Sequence, residues 1–205
     1  MPESPFDGPQ TGTLLLLLAS TAYPVVGTWA RTDHLERRTG LDGLAFVREV
    51  FPDEYAGIRW VQANVPPGSV VAEAPGCSYG EWYGLPHDRV STFAGVSTPL
   101  GWGGHEQQWR GGAPDLLAEL EPRREDMNLL YNTTDPSVAR QLLDRYGIGY
   151  VYVGVYERNG YAAGGIGADC TAGPPYPPSG LAKFDTLMRP VFTQGRVTIY
   201  ARSSP

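Results

Sequence analysis

The sequence predicts an α/β fold, in which helices pack on a mixed, mainly parallel sheet that ends in a C-terminal β-hairpin. Apolar stripes with helical spacing alternate along the chain with short β-branched runs, a pattern typical of helices that cover a sheet. Two β-rich runs, 191–193 and 197–200, flank Gly195 and predict the hairpin. An uncharged segment near the N terminus predicts a transmembrane-like helix ahead of this domain.

Two helices are predicted from their starts and stripes. The first begins at Pro52-Asp53 and stops at 66–68, which reads Pro-Pro-Gly. Its apolar residues recur at intervals of three and four and so share one face: Tyr55, Ile58, Val61 and Val65. The second begins at Asp135-Pro136, with the aspartate as N-cap, and ends at Gly147. Its stripe consists of Val138, Leu142 and Tyr146. Shorter helices are predicted over 126–131 and 181–188.

Apolar runs between these helices predict the strands. They lie at 69–74, 89–93 and 148–153, and the last is expected to be central in the sheet. Ligands of α/β sheets bind beyond the carboxyl ends of strands, so the loops after Ala74, Phe93 and Val153 are expected to converge at one edge. The Gly/Pro-rich stretch 159–180 is predicted to be a long loop.

The N-terminal segment predicts a membrane anchor. Residues 13–30 carry no charge, and as a helix they would span roughly 27 Å. A secretory signal would place basic residues before this run, and none stands there. We therefore divide the chain into a polar tail (1–12), the transmembrane-like helix (13–30), a polar connector (31–51) and an α/β domain (52–205). A buried amphipathic helix is the alternative for 13–30.

Charge and cysteine content exclude several classes of protein. The net charge of −6 argues against nucleic acid as a partner, because phosphate binding needs a basic surface. Cys77 and Cys170 form no C-x-x-C pair, which excludes a zinc ribbon. Both lie in Gly/Pro-rich stretches, which favours a disulfide between them in an oxidising compartment; two free thiols are the alternative. P-loop, dinucleotide-binding and nucleophile-elbow motifs are absent from the sequence, and we expect no cofactor.

The strongest candidate for a binding site is the segment 100–111, which reads LGWGGHEQQWRG. Aliphatic residues are nearly absent and the glycines disfavour a regular helix, so a loop is predicted. Aromatic faces beside amides and carboxylates suit carbohydrate, because sugar C–H faces pack on rings while polar groups bind hydroxyls. The candidate ligand-binding residues of this segment are Trp102, His105, Glu106, Gln107, Trp109 and Arg110. In the alternative interpretation, the tryptophans only fill the edge of the core.

Four residues outside this segment complete the candidate binding set: Glu73, Tyr79, Glu157 and Arg158. Glu73 ends an apolar run and needs a partner if it is buried, a role that Arg110 or Arg158 could fill. The H-E-x-x-H zinc motif is absent because position 109 is tryptophan, so no metal site is predicted. The catalytic residues are thus left open; a small hydrolase that uses His105 and a carboxylate is a further alternative.

Five stretches of the chain carry a resemblance to a known family. They are PDEYAGIRW (52–60), VAEA (71–74), RVSTFAG (89–95), LGW with HEQQWR (100–102 and 105–110), and YVYVG with ER (150–154 and 157–158). With them, residues 14–202 resemble the C-terminal region of the YYY-type polytopic membrane proteins of archaea and Chloroflexi, which are similar in pattern to C-type glycosyltransferases. The stretch within 100–111 is the most specific of the five.

This resemblance implies an extracytoplasmic domain at the cell membrane, after the last membrane helix of a polytopic protein. The implied partners are that polytopic membrane region and a glycan or polyprenyl-phosphate-linked sugar. The catalytic acidic residue of such enzymes typically lies in an early extracytoplasmic loop, and is thus expected in a membrane portion absent from this chain. Arg31, Arg37 and Arg38 would favour the opposite topology if the helix stood alone, a preference that a multi-pass protein can override.

The expectation is thus an extracytoplasmic domain of a glycosyltransferase-like membrane protein that binds a glycan or acceptor through the Trp/His/Gly-rich segment. The resemblance leaves open whether the domain itself takes part in catalysis. The alternative is a non-catalytic structural or interaction domain that braces the membrane region. Truncating a tryptophan would then cost stability rather than binding.

Overall fold

The structure, a computed structural model, describes residues 9–34, 36, 42–78, 81–82, 85–111, 113–159 and 176–202. The chain divides into two units, Met1–Ala45 and Phe46–Pro205. Helix α1 (Pro9–Arg31) belongs to the first unit, and helix α2 (Ala45–Val50) begins at the last residue of that unit. All later elements lie in the second unit.

Helix α1 contains the uncharged segment. Its stretch Gly12–Arg31 is long and apolar enough to cross a membrane, and none of its most apolar part is buried. Its exposed large apolar side chains are Leu14, Leu15, Leu16, Leu17, Leu18, Tyr23, Val25, Val26 and Trp29. The predicted N-terminal apolar helix is therefore confirmed, and its exposure is the opposite of what a buried core helix shows.

The two helices predicted from their stripes are present. Helix α3 (Pro52–Asn64) has its proline in the first turn and buries Ile58 and Val61, two members of the predicted stripe. Helix α7 (Pro136–Arg145) begins after Asp135, whose side chain accepts a hydrogen bond from the Ser137 N–H at 2.7 Å. These starts follow from local chemistry, because an N-cap and an N1 proline need only their neighbours.

The main sheet has four strands in the order β1-β4-β6-β5: β1 (Val70–Ala72), β4 (Ile148–Val153), β6 (Val197–Ala201) and β5 (Arg189–Gln194). The mixed sheet, the inner position of β4 and the C-terminal hairpin are confirmed. The expectation of a mainly parallel sheet is wrong, since only β1 and β4 pair in parallel while β6 is antiparallel to both β4 and β5. A tight turn at Gly195 brings the chain into β6, and a tight turn can join only antiparallel strands.

Helices cover both faces of this sheet. Neighbouring residues of β4 point to opposite faces, so Val151 and Tyr152 belong to different apolar clusters. The Val151 cluster includes residues of α6 (Pro114–Asn132), α7, α9 (Pro178–Ala182) and α10 (Phe184–Leu187). The Tyr152 cluster includes residues of α3 and α4 (Arg89–Ala94). A separate pair, β2 (Glu81–Trp82) and β3 (Leu85–Pro86), is antiparallel.

Two segments adopt helices against the sequence prediction. Residues 89–94 form α4 rather than a strand, because the Glu73 carboxylate accepts the first N–H groups of the helix and Gly95 ends it at φ +70°. Residues 103–109 form α5 (Gly103–Trp109) rather than a loop. Its glycines stand at the two ends, with Gly103 and Gly104 buried at the start and Gly111 at φ +61° after the end, so they bound the helix instead of breaking it.

Other boundaries also differ from prediction. The short helix expected at 126–131 is the end of the long helix α6, and the polar connector contains α2. The helix expected at 181–188 is divided into α9 and α10, and α9 begins inside the predicted long loop. Residues 160–175 of that loop lie outside the described residues. Helix α8 (Val155–Asn159) follows β4 directly.

Candidate functional site

Helix α5 and the residue before it carry a row of three aromatic side chains, Trp102, His105 and Trp109, which we call the aromatic row. Ring centroids are 5.2 Å apart between Trp102 and His105 and 5.4 Å apart between His105 and Trp109. Spacings of three and four residues place these side chains on one helical face. The predicted loop is thus a helix, and three of the candidate residues of 100–111 lie along one side of it.

The two ends of the aromatic row differ in exposure. The Trp102 indole N–H donates to the His87 carbonyl at 2.8 Å, which ties this half-buried ring to the domain. Trp109 is 71% exposed. The start of α5 is held by the Gly104 N–H, which donates to Ser78 Oγ at 2.7 Å. The row therefore has an anchored end and an open end, and Trp109 is the ring free to receive a ligand face.

A groove of about 340 Å³ lies between α5 and α6, beside the aromatic row; we call it the α5–α6 groove. Its lining consists of Thr98, Pro99, Leu100, Gly101, Glu106, Arg110, Glu119, Leu120 and Arg123. Arg110 Nε lies 2.5 Å from Glu106 Oε2, and Arg123 Nη2 lies 2.9 Å from Glu119 Oε2. Arg123 also donates to the Pro99 carbonyl at 3.3 Å. Donors and acceptors thus line the groove together.

A second polar constellation is buried at the carboxyl ends of β1 and β4; we call it the Arg89 cluster, and it consists of Arg89, Glu54, Glu73 and Glu157. Arg89 has no exposed surface. Its Nε lies 2.7 Å from Glu54 Oε2, its Nη2 lies 2.9 Å from Glu157 Oε2, and its Nη1 lies 3.7 Å from Glu73 Oε2. One guanidinium therefore faces three carboxylates, each on a different element or loop.

The carboxylates of the Arg89 cluster also bind main chain. Glu73 accepts from the N–H groups of Val90 (2.9 Å) and Ser91 (2.7 Å), Glu157 from those of Ala74 (2.8 Å) and Gly154 (2.7 Å), and Glu54 from that of Val155 (2.5 Å). The guanidinium lies over the rings of Tyr152 and Tyr156, 5.0 and 4.9 Å from their centroids. These contacts join the ends of β1 and β4 to α3, α4 and α8. The loops after Ala74 and Val153 converge, as predicted, but the expectation of a third loop after Phe93 is wrong, because Phe93 lies in helix α4 and not at the end of a strand.

Burial and charge act against each other in this cluster. Burial works to raise the pKa of Glu157, but Arg89 and the N–H groups of Ala74 and Gly154 hold that pKa below its usual value. Burial raises the pKa of Glu73 despite the nearby Arg89. Burial would lower the pKa of Arg89, but Glu157 and Glu54 raise it well above its usual value. The guanidinium is therefore a permanent charge on which the buried carboxylates depend.

Asp88 is a further buried carboxylate, next to the Arg89 cluster. It is 2% exposed, its backbone is left-handed at φ 56°, and its carboxylate has no hydrogen-bond partner in the described part of the chain. Burial, and then the charge of Glu73, raise the pKa of Asp88 well above its ordinary value of 3.8, although Arg89 opposes them. The folded state thus favours protonated Asp88, and ionisation of this group costs stability as the pH rises above 3.8.

We expect Asp88→Asn to raise the free energy of unfolding near neutral pH. Asparagine is neutral, nearly isosteric and tolerant of left-handed backbone. The gain should shrink as the pH falls and vanish below 3.8, where aspartate is protonated in both folded and unfolded chains. Urea unfolding of wild type and variant, from neutral pH to below 3.8, measures this difference in the free energy of unfolding. The neighbouring His87, whose pKa burial lowers to about 4, is common to both proteins and cancels in the difference. A less stable variant at neutral pH would contradict the assignment.

The predicted site residues therefore lie in separate places. Trp102, His105, Glu106, Gln107, Trp109 and Arg110 share α5 and its ends, whereas Glu73 and Glu157 are buried in the Arg89 cluster. Neither arginine proposed as a partner of Glu73 fills that role: Arg110 pairs with Glu106, and Arg158 donates to the Arg196 carbonyl and to Thr198 Oγ1. The partner is Arg89, which the sequence prediction placed in a strand.

Some predicted residues fall outside the described residues, among them Tyr79 and Cys170. Cys77 is disulfide-bonded, and the described cysteine is not free. Within the described residues no group of three or more His, Cys, Asp or Glu side chains is arranged to hold a metal ion. Arg158 lies at a different cavity, of about 590 Å³, lined also by Tyr176, Asp185 and Tyr200.

Sequence reasoning missed Glu54, Asp88 and Arg89. The position of Glu54 had an ordinary explanation, because acidic residues are common in the first turn of a helix. That explanation concealed its second role as a partner of Arg89. No local signal marked Arg89, because its three partners come from distant parts of the chain.

Comparisons of the chain with protein-family models, with curated proteins and with solved structures find no match. The chain is thus an α/β domain with an N-terminal apolar helix, and the aromatic row on α5 lies beside a polar groove.

Proposed function

We propose that this chain is the extracytoplasmic, membrane-anchored domain of a glycosyltransferase-like protein and that it binds a glycan or acceptor on α5. The observation that carries the proposal is the aromatic row, with Trp109 71% exposed next to a polar groove. An exposed indole face packs on sugar C–H groups, while the groove offers carboxylate acceptors and guanidinium donors for hydroxyls.

Two observations support the extracytoplasmic and membrane-bound placement. Helix α1 is long and apolar enough to span a bilayer. Cys77 is disulfide-bonded, and disulfides persist mainly in oxidising compartments outside the cytoplasm. Together they favour a domain tethered to the outer side of a membrane.

The proposal assigns substrate binding, and no catalytic step, to this chain. The buried carboxylates Glu54, Glu73 and Glu157 are engaged by Arg89 and by main-chain N–H groups. These carboxylates are buried, so a substrate does not reach them to exchange a proton. We therefore place the catalytic acid in a polytopic partner region, as the resemblance to C-type glycosyltransferases implies.

Trp109→Ala should weaken glycan binding about tenfold without lowering the melting temperature, since an exposed ring adds to binding and not to the core. The full chain in phospholipid nanodiscs, which avoid sugar-headed detergents, would first be screened against immobilised glycans. Calorimetric titration of the best ligand would then compare wild type with the variant.

Leu129→Ala is the matched control, because Leu129 is also an exposed apolar side chain (44% exposed) but lies on α6. It should bind like wild type. Trp102→Ala should instead lower the melting temperature, since its indole hydrogen bond to the His87 carbonyl is lost. If Trp109→Ala lowers stability and leaves glycan binding unchanged, the helix braces the domain and the proposal fails.

A further inference from the structure

We infer that the α5–α6 groove is a subsite for an uncharged sugar residue, and not for a phosphate, uronate or sulfate. This inference rests on the proposed glycan-binding function and narrows it to one chemical class. The groove volume of about 340 Å³ is at the low end of the range for small-molecule sites, about 300–1,000 Å³, so the groove suits one small ligand unit.

The charges of the groove decide the ligand class. Arg110 and Arg123 are the cations of its lining, and Glu106 and Glu119 are its anions. Each arginine binds the glutamate one helical turn before it, at 2.5 and 2.9 Å, so the positive charges are neutralised within their own helices. An anionic group entering the groove would have to displace a carboxylate from its arginine or lie against it unscreened. Both alternatives cost free energy.

The same pairs suit hydroxyl groups. A carboxylate paired with a guanidinium keeps lone pairs free, and the guanidinium keeps N–H groups free, because neither ion pair uses all its donors and acceptors. Neighbouring hydroxyls of a sugar both donate and accept, so they can bridge such a pair without separating its charges. The pairs remain 32–61% exposed, so a ligand can reach them.

The position of the groove fits the aromatic row. Glu106 and Arg110 each follow a member of the row, His105 and Trp109, by one residue. On a helix this offset of about 100° places the polar pair on the face next to the rings. A glycan that packs one sugar on Trp109 could therefore place another unit in the groove, which makes the groove a specificity-determining part of the same site.

The test measures whether the full chain in nanodiscs prefers neutral or anionic oligosaccharides, and whether a variant reverses that preference. Wild type should bind neutral oligosaccharides at least tenfold more tightly than the same oligosaccharides carrying uronate, sulfate or phosphate. The double variant Glu106→Gln/Glu119→Gln frees both arginines and gives the groove two net positive charges. Its affinity for the anionic oligosaccharides should rise about tenfold, and its affinity for the neutral ones should fall.

The matched control is Asp126→Asn/Asp144→Asn. It frees Arg145 and Arg202, which pair with these aspartates elsewhere on the surface, and changes the total charge equally. This variant should keep the wild-type preference. A wild type that prefers anionic glycans, or a Glu106/Glu119 variant without a switch, would overturn the inference while glycan binding through Trp109 stands. Absence of any glycan binding by wild type would instead overturn the proposed function.

Discussion

Replacing Arg89 with methionine should lower the free energy of unfolding by about 3–5 kcal/mol. The guanidinium is fully buried and faces the carboxylates of Glu54, Glu73 and Glu157. Methionine fills part of the volume but leaves three buried carboxylates without their cation. A loss of this size is a large part of the stability of an ordinary domain, about 5–15 kcal/mol.

Denaturant unfolding of the full chain, followed by circular dichroism, measures this loss. Arg89→Lys should fall between wild type and Arg89→Met, because an ammonium keeps the charge but not the fork that reaches several partners. If the methionine variant is too unstable to purify, the lysine variant supplies the measurement. Arg202→Met, which removes an exposed pair with Asp144, should cost less than about 1 kcal/mol. Equal costs at Arg89 and Arg202 would show that the Arg89 cluster is not a structural centre.

Gly154→Ala should destabilise the domain by about 1–3 kcal/mol through overpacking of the same cluster. A Cβ at Gly154 would overlap the Glu54 carboxylate and lie 2.7 Å from Tyr152 Cε1 and 2.8 Å from Arg89 Nη2. These side chains cannot move aside freely, because Glu54 also binds the Val155 N–H and Tyr152 belongs to an inner strand. The alanine would therefore disturb the Arg89–Glu54 ion pair itself.

Gly149→Ala in the same strand is the control for this substitution. The nearest atom that its Cβ would meet is the Val70 carbonyl oxygen at 3.9 Å, an ordinary contact, so stability should stay equal or rise by up to about 1 kcal/mol. The double variant Gly154→Ala/Arg89→Met should lose less free energy of unfolding than the sum of the two single losses, because both substitutions disrupt the Arg89 cluster. Strict additivity would contradict the view that Gly154 acts through the cluster.

The Arg89 cluster also supports the proposed binding surface. The Arg89 cluster fixes the start of α4, and His87, two residues before Arg89, accepts the hydrogen bond that anchors Trp102. A loss of the cluster should therefore also loosen the aromatic row. For this reason glycan binding is tested with Trp109 and the groove residues, whose substitutions leave the cluster intact.

The elements that could be predicted from sequence are those built from local chemistry. Helices α3 and α7 were predicted because their prolines, caps and apolar stripes lie within one segment. The C-terminal hairpin and the inner strand β4 were predicted in the same way, from β-rich runs and a turn glycine. The aromatic and polar composition of 100–111 also marked the candidate surface.

Helices α4 and α5 could not be predicted, because residues far away in the chain decide them. Glu73 supplies the acceptor for the first N–H groups of α4, and Ser78 supplies the acceptor for Gly104 in α5. A segment with weak intrinsic preference takes the conformation that its tertiary contacts satisfy. The mainly parallel sheet was a wrong expectation for a similar reason, since strand direction follows from which strands meet.

The α/β class, the apolar N-terminal helix and the residues that give α5 its aromatic and polar character follow from the amino-acid sequence. Folding, in contrast, makes Arg89 the partner of Glu73, joins Glu54 and Glu157 to them, and neutralises the arginines of the groove. These contacts join residues that are far apart along the chain: Glu54 accepts a hydrogen bond from a main-chain N–H 101 residues away. Charge pairing between distant residues depends on the folded chain, and no local pattern encodes it.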